Sequence, residues 1–324
     1  MKKTQQILIS MIPLIIVLII GIFYTIFKTD ILIIKDITKY SKIIDANKDH
    51  NQALDVVELA QKKNITIPKT IINFDTHSDV YIAHYVVPGY GAQIADWINV
   101  LFAEFPEIEE LYWVMPIEEI STISQKGSFV IKNIETEHYP LFGNTQKEPK
   151  YVNPNVDKIP YIQYFKLDRN TGRMTEFISK NAKEEFDNYN NKNPRYRKLK
   201  IITCTESSLP DFKNKNVILS IDGDYISNSG YDTGIDFENN RNPQEIKEAL
   251  LKMLKTIQKC NIRPEIISLT LSPHYVPDED KEQMLNFFKH FIFISGKKDP
   301  IQEYKRGFDV PTLNDNDPYK YKVF

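Results

Sequence analysis

Ile71-Ile72-Asn73-Phe74-Asp75-Thr76-His77-Ser78-Asp79 passes from a largely apolar run directly into three metal-competent side chains on alternating positions. In an extended chain, residues two apart point the same way, so Asp75, His77 and Asp79 can converge on one point. A second apolar run, Val217-Ile218-Leu219-Ser220-Ile221, ends in Asp222-Gly223-Asp224 and repeats the arrangement with two carboxylates. Both runs read as buried strands, and in open parallel sheets the carboxyl ends of the strands face the ligand crevice. Asp-x-Asp and Asp-x-His pairs also occur in ordinary loops, where Asp accepts backbone hydrogen bonds. Two clusters at two strand ends are harder to assign to that role than one. The five donors are rich in oxygen with one imidazole, a mix that suits Mn2+ better than thiolate-loving ions.

Outward from these runs, strand-like and helix-like segments alternate. Residues 51–62 and 91–105 are predicted helices, the second with Ile94, Trp97, Ile98, Leu101, Phe102 and Phe105 at helical spacing and read as a core stripe. Residues 111–115, 128–132, 199–204, 217–222, 265–271 and 291–295 are predicted buried strands. Asn242-Pro243 opens a helix through Lys259, with Asn as cap and Pro in the first turn. This alternation predicts an α/β fold, three layers (α/β/α) around a mainly parallel sheet. Residues 144–158 and 183–198 read as surface excursions that shape a substrate entrance. The polar tail after Gly307 wraps the surface or frays.

Several ordered blocks resemble the arginase and ureohydrolase superfamily, whose pattern is Asp-x-His-x-Asp followed much later by Ser-x-Asp-x-Asp. They are Asp49-His50, Phe74 to Asp79, Tyr112-Trp113-Val114-Met115-Pro116, Asp222 to Tyr225, and Leu271-Ser272-Pro273-His274-Tyr275. Together they span roughly residues 45 to 295 and are most similar to a branch that includes peptide arginases, which convert arginine within peptides to ornithine. The resemblance implies an arginase/deacetylase-like fold and a pair of divalent ions, Mn2+ first and Zn2+ or Fe2+ as alternatives. It implies that Asp75 and Asp222 bridge the ions, with His50 and Asp79 on one and His77 and Asp224 on the other. The candidate catalytic residues are Asp79 and, as proton donor to a leaving amine, His274, with His84 and His138 as alternatives. His290 reads as a partly buried structural residue.

The chain also departs from that pattern. Arginases proper have glycines before the first metal histidine and Asp-Pro soon after the second Asp-x-Asp, whereas this chain has Asn47-Lys48-Asp49 and Ile226-Ser227. Their free-arginine recognition residues have no counterpart here. The expected activity is therefore hydrolysis of a C–N bond in a guanidino or related substrate, a small molecule or arginine in a peptide. Two alternatives are a mononuclear zinc amidohydrolase or deacetylase of the same superfamily and a non-catalytic surface binding module. Residues 45–51 also resemble the start of an EF-hand loop. That loop needs Gly at its sixth position and Glu at its twelfth, where this chain has His50 and Val56, so calcium is rejected. Asp49 or Asn51 could equally serve there as a helix cap.

From Ile7 to Phe27 the chain is apolar or small and uncharged, with Lys2 and Lys3 before it and Lys28 after it. As a helix that stretch spans about 30 Å, the thickness of a bilayer core. It is longer than a signal-peptide core and lacks an Ala-x-Ala-like site, so an uncleaved signal anchor is expected. The organisation is then a cytoplasmic tail 1–6, an anchor 7–27, a linker 28–44, a metallohydrolase domain 45–306 and a tail 307–324. The domain is expected on the extracytoplasmic side, although lysines flank both ends of the anchor. A net charge of -2 argues against nucleic acid as a partner. Cys204 and Cys260 could form one disulfide or remain two buried thiols.

Overall fold

The computed structural model describes residues 31–47, 49–80, 97–116, 160–170, 174–177, 179–189, 193–228, 241–272 and 275–296. Its strands are β1 (Ile43–Asn47), β2 (Thr70–Phe74), β3 (Glu110–Met115), β4 (Tyr161–Asp168), β5 (Met174–Glu176), β6 (Tyr196–Thr205), β7 (Asn216–Asp222) and β8 (Arg263–Thr270). They form one sheet in the order β1-β8-β7-β2-β3-β6-β4-β5. Every pairing from β1 to β6 along that order is parallel, and β4 pairs antiparallel with both β6 and β5. The helices are α1 (31–38), α2 (Ala53–Lys62), α3 (Trp97–Glu104), α4 (Ala182–Asn188), α5 (Pro243–Lys259) and α6 (Asp278–Ser295). The chain is thus an α/β protein with a mainly parallel sheet.

Strand periodicity divides the core between the two faces. On one face Ile71, Leu111, Ile218 and Ile266 pack with α2 and α3. On the other, Ile72, Phe74, Leu219, Ile221 and Ile267 pack with α1, α5 and α6. The central strands are buried on both sides and so read as near-continuous apolar runs. α5 begins as expected: Asn242 Oδ1 accepts from the N–H groups of Gln244 and Glu245 at 3.0 and 3.1 Å, and Glu245 Oε2 accepts from Asn242 N at 2.8 Å.

The strand expected at 291–295 is instead the last part of α6. Met284, Phe288 and Phe291 are buried at helical spacing, whereas Phe293 is 80% exposed, an arrangement a core strand would not leave. A short apolar run carries too little periodicity to separate the two readings. His290, expected to be partly buried, lies exposed on the solvent side of this helix. The stretch expected as a linker is also structured from residue 31. Ile33, Ile34 and Ile37 of α1 are buried in the core, and β1 begins at Ile43. Residues 183–198 hold most of α4, which buries no residue, and the start of β6. β4 and β5 pair antiparallel, and neither is among the expected strands.

Cys204 and Cys260 are both buried free thiols. Among the described residues no helix is long and apolar enough to cross a membrane. The run 7–27, the strand expected at 128–132, the excursion 144–158, the tail after Gly307, and His84, His138 and His274 lie outside the described residues.

Strand order positions the functional edge. From β2 the chain continues to β3 on one side, and from β7 it continues to β8 on the other. The sheet therefore reverses direction between the adjacent strands β2 and β7, and such a switch point opens a crevice at the carboxyl ends. Phe74 is paired with Ile221, so Asp75 and Asp222 leave neighbouring strands side by side.

Candidate metal centre

Three strand ends supply the expected ligands of the centre. β1 leads through Asp49 into a single 3-10 turn, His50–Gln52, where Gln52 Oε1 accepts from Asp49 N at 3.0 Å. That turn brings His50 over the crevice. β2 delivers Asp75, His77 and Asp79; β7 delivers Asp222 and, through the 3-10 turn Gly223–Tyr225, Asp224. A Cβ on Gly223 would lie 2.7 Å from the Leu271 carbonyl oxygen, so the turn passes too close to the end of β8 for a side chain.

Five of the six expected ligands fall into two groups, and Asp79 lies outside both but touches His50 of the first. His50 Nδ1 lies 2.7 Å from Asp79 Oδ2, 2.8 Å from Asp222 Oδ2 and 3.1 Å from Asp75 Oδ2. His77 Nδ1 lies 2.8 Å from Asp224 Oδ2 and 3.8 Å from Asp75 Oδ1. The two oxygens of Asp75 thus face different histidines. One ring N–H cannot satisfy three converging carboxylates, so the first group holds more acceptors than its proton can serve. Donor atoms about 3 Å apart are what adjacent vertices around an ion at about 2.1 Å would show. The groups His50/Asp75/Asp222 and Asp75/His77/Asp224 could each hold a metal ion, and the residues fit that occupant.

Asp222 departs from the expected role. Its Oδ2 faces the first group, while Oδ1 accepts from Asp224 N at 3.1 Å, and it belongs to the first group alone. Asp75 is the residue that the two groups share.

Neighbouring donors orient the carboxylates. Asn73 Nδ2 donates to Asp75 Oδ2 at 2.9 Å and His77 N to Asp75 Oδ1 at 2.7 Å. Ser272 Oγ donates to Asp222 Oδ2 at 2.6 Å, and Thr76 N to Asp224 Oδ1 at 3.2 Å. Ser220 Oγ lies 2.9 Å from His50 Nε2, which leaves Nδ1 for the carboxylates. Asp79 and Ser272 both adopt left-handed backbone, at φ 51° and 47°. Such conformations store strain and cluster at functional sites. The ring of Tyr275 lies 4.6 Å from that of His77.

The charge balance follows from burial. Burial, then the Asp79 charge, pushes the Asp75 carboxyl up to about 7. Burial, with Asp222 and Asp75 nearby, pushes Asp224 up to about 8. Burial also works to raise Asp222, but the adjacent His50, the Ser272 hydroxyl and the Asp224 N–H together hold it below the ordinary value. Burial lowers His50, and the carboxylates of Asp222, Asp79 and Asp75 outweigh it, so the imidazole ends well above its usual range. Without a cation, the cluster retains protons that a metal would displace.

Trp97 was read from its spacing as core, and it is buried, yet its Nε1 donates to Asp79 Oδ2 at 2.5 Å and its ring lies 4.8 Å from that of His50. Helical spacing cannot distinguish a packing indole from one that also holds a ligand. Trp97→Phe keeps an aromatic ring but removes the donor and part of the buried volume. The expected result is metal affinity lowered about 10–100-fold, the usual cost of losing an outer partner of a ligand, together with a lower metal-free melting temperature from the cavity and the unpaired Asp79 oxygen. A metal titration of wild type and variant tests this, and equal affinities would refute the assignment.

No protein-family model matches this chain, and no curated protein matches it. The likeness to arginases rests on the residue blocks quoted above.

Proposed function

We propose that the chain is a membrane-anchored, arginase-like binuclear metallohydrolase that cleaves a C–N bond in a guanidino or related substrate, including arginine within a peptide. The observation that carries this reading is Asp75, whose two oxygens face two separate His/Asp groups. A guanidinium carbon is a poor electrophile, so its hydrolysis needs a strong nucleophile and charge stabilisation. Two bound divalent ions, Mn2+ by the donor set, would supply activated water near neutral pH. Asp75, Asp79, Asp222 and Asp224 offset the ionic charge. His50 and His77 orient the two groups. His274 is assigned the proton given to the leaving amine, because Ser272 and Tyr275 on either side of it contact Asp222 and His77. The run 7–27 anchors the domain, with the metal centre on the extracytoplasmic side.

The full chain in detergent with Mn2+, given arginine-containing peptides and free arginine, should convert arginine to ornithine, detected by mass spectrometry and urea release. Full metal occupancy without turnover of any guanidino substrate would favour a binding module. A mononuclear zinc amidohydrolase or deacetylase is the second reading, favoured by Asp222 facing the first group alone. Under that reading one ion suffices and Asp224→Asn retains activity.

A further inference from the structure

The outward surface of α1 combines apolar, aromatic and basic side chains. Leu32 is 56% and Tyr40 44% exposed, and Lys35 and Lys39 are exposed between them. Lys39 Nζ lies 5.3 Å from the Tyr40 ring centroid, and Arg263 covers the same ring at 5.2 Å. The facing acids are Asp36, which accepts from Gln258 Nε2 at 2.9 Å, and Glu265, which pairs with Lys42 at 3.1 Å. Lys35, Lys39, Lys42 and Arg263 outnumber these acids, so the surface is net positive.

Its position in the chain is as informative as its chemistry. The apolar run ends at Phe27 and α1 is described from Ile31. Four residue steps span at most about 14 Å extended and about 6 Å if helical. The headgroup layer beside a bilayer core is roughly 5–8 Å thick, and charges act across about 8 Å at physiological salt. A surface tethered this closely lies within reach of lipid headgroups. Long lysine stems, a tyrosine and a leucine are side chains that settle at that depth.

We propose that Leu32, Lys35, Lys39, Tyr40 and Arg263 form a contact site for anionic lipid headgroups of the membrane that the anchor enters. This rests on the anchor assignment of residues 7–27. Tyr40 precedes β1 and Arg263 opens β8, so both lie at the amino edge of the sheet, opposite the edge that carries the metal centre. Contact at this surface therefore turns the metal centre away from the bilayer, towards substrates in solution.

The test uses the full chain in lipid nanodiscs containing phosphatidylglycerol, with Tyr40→Trp as a fluorescent reporter and Lys183→Trp on α4 as a distant control. Buried Trp97 and Trp113 give a background measured on wild type. The reporter should lose emission to lipids that carry a quencher just below the headgroups, and the control should not. Lys35→Glu with Lys39→Glu, or exchange of phosphatidylglycerol for phosphatidylcholine, should restore that emission. A reporter left unquenched in anionic discs that retain the chain overturns the lipid site and leaves the anchor standing. Quenching indifferent to both charge reversal and lipid charge also overturns it. A chain that never enters the discs overturns the anchor assignment, and the lipid site with it.

Discussion

Asp75→Asn is expected to empty both metal groups together and to lower turnover by more than about a hundredfold, beyond the 10–100-fold cost of losing an outer partner. The reason is geometric: Asp75 Oδ2 lies 3.1 Å from His50 Nδ1 and Asp75 Oδ1 lies 3.8 Å from His77 Nδ1. An amide keeps the shape of the side chain but loses its charge and one acceptor. Asp224→Asn serves as the comparison, because Asp224 belongs to the second group alone and its loss should spare the first. A folding defect is separable from a ligand defect. Asp75→Asn removes a buried charge, so above about pH 7 the metal-free variant should melt at or above the metal-free wild type. Elemental analysis of the purified chains decides the matter. Near-wild-type metal content in Asp75→Asn would sink the binuclear proposal.

The second large effect concerns pH. Asp75 is raised to about 7 and Asp224 to about 8, both chiefly by burial, against an ordinary carboxyl value of 3.8. Between roughly pH 4 and 8 the metal-free fold therefore binds more protons than the unfolded chain. The contribution of these groups to metal-free stability is full below about pH 4 and is lost as pH rises through 7 and 8. Metal displaces the same protons, so its affinity tightens with rising pH until they are gone, by up to about tenfold per pH unit for each proton displaced. The gap in melting temperature between metal-loaded and chelated protein should thus widen from about pH 5.5 to about pH 8.5, reaching about 10 °C with metal in large excess over its dissociation constant. Melting curves with and without chelator across that range test this. A gap that stays constant or narrows would show that the buried carboxylates do not compete with metal for protons.

Much of the fold was legible because its signals are local. β2 and β7 are buried on both faces, so Ile71-Ile72-Asn73-Phe74 and Val217 to Ile221 read as strands without knowledge of their neighbours. The start of α5 was legible because Asn242 and Pro243 carry a cap and a first-turn signal side by side. The end of α6 was misread because four apolar residues in a row fit a strand as well as a helix, and the deciding partners, Met284 and Phe288, lie a turn or two upstream. α1 was missed because its isoleucines follow an apolar stretch that masks their spacing.

The same division applies to the site. Four of the five residues that form the two groups, Asp75, His77, Asp222 and Asp224, were legible from alternation, which places donors on one side of a strand end, whereas His50 entered only through the family resemblance. The roles of the outer partners were not legible. Ser220 and Ser272 stand inside the quoted blocks and Trp97 on a core stripe, yet nothing local says that they hold His50, Asp222 and Asp79, which they reach only because β7, β8 and α3 are packed where they are.

The sequence by itself determined which donors are available and that they leave two buried strands in converging sets, because side-chain alternation is a property of the extended backbone. Only the tertiary structure decided that Asp75 divides its oxygens between two groups while Asp222 serves one. That outcome depends on β7 lying beside β2. Strand adjacency across well over a hundred residues is set by burial of the whole sheet, and no local pattern encodes it.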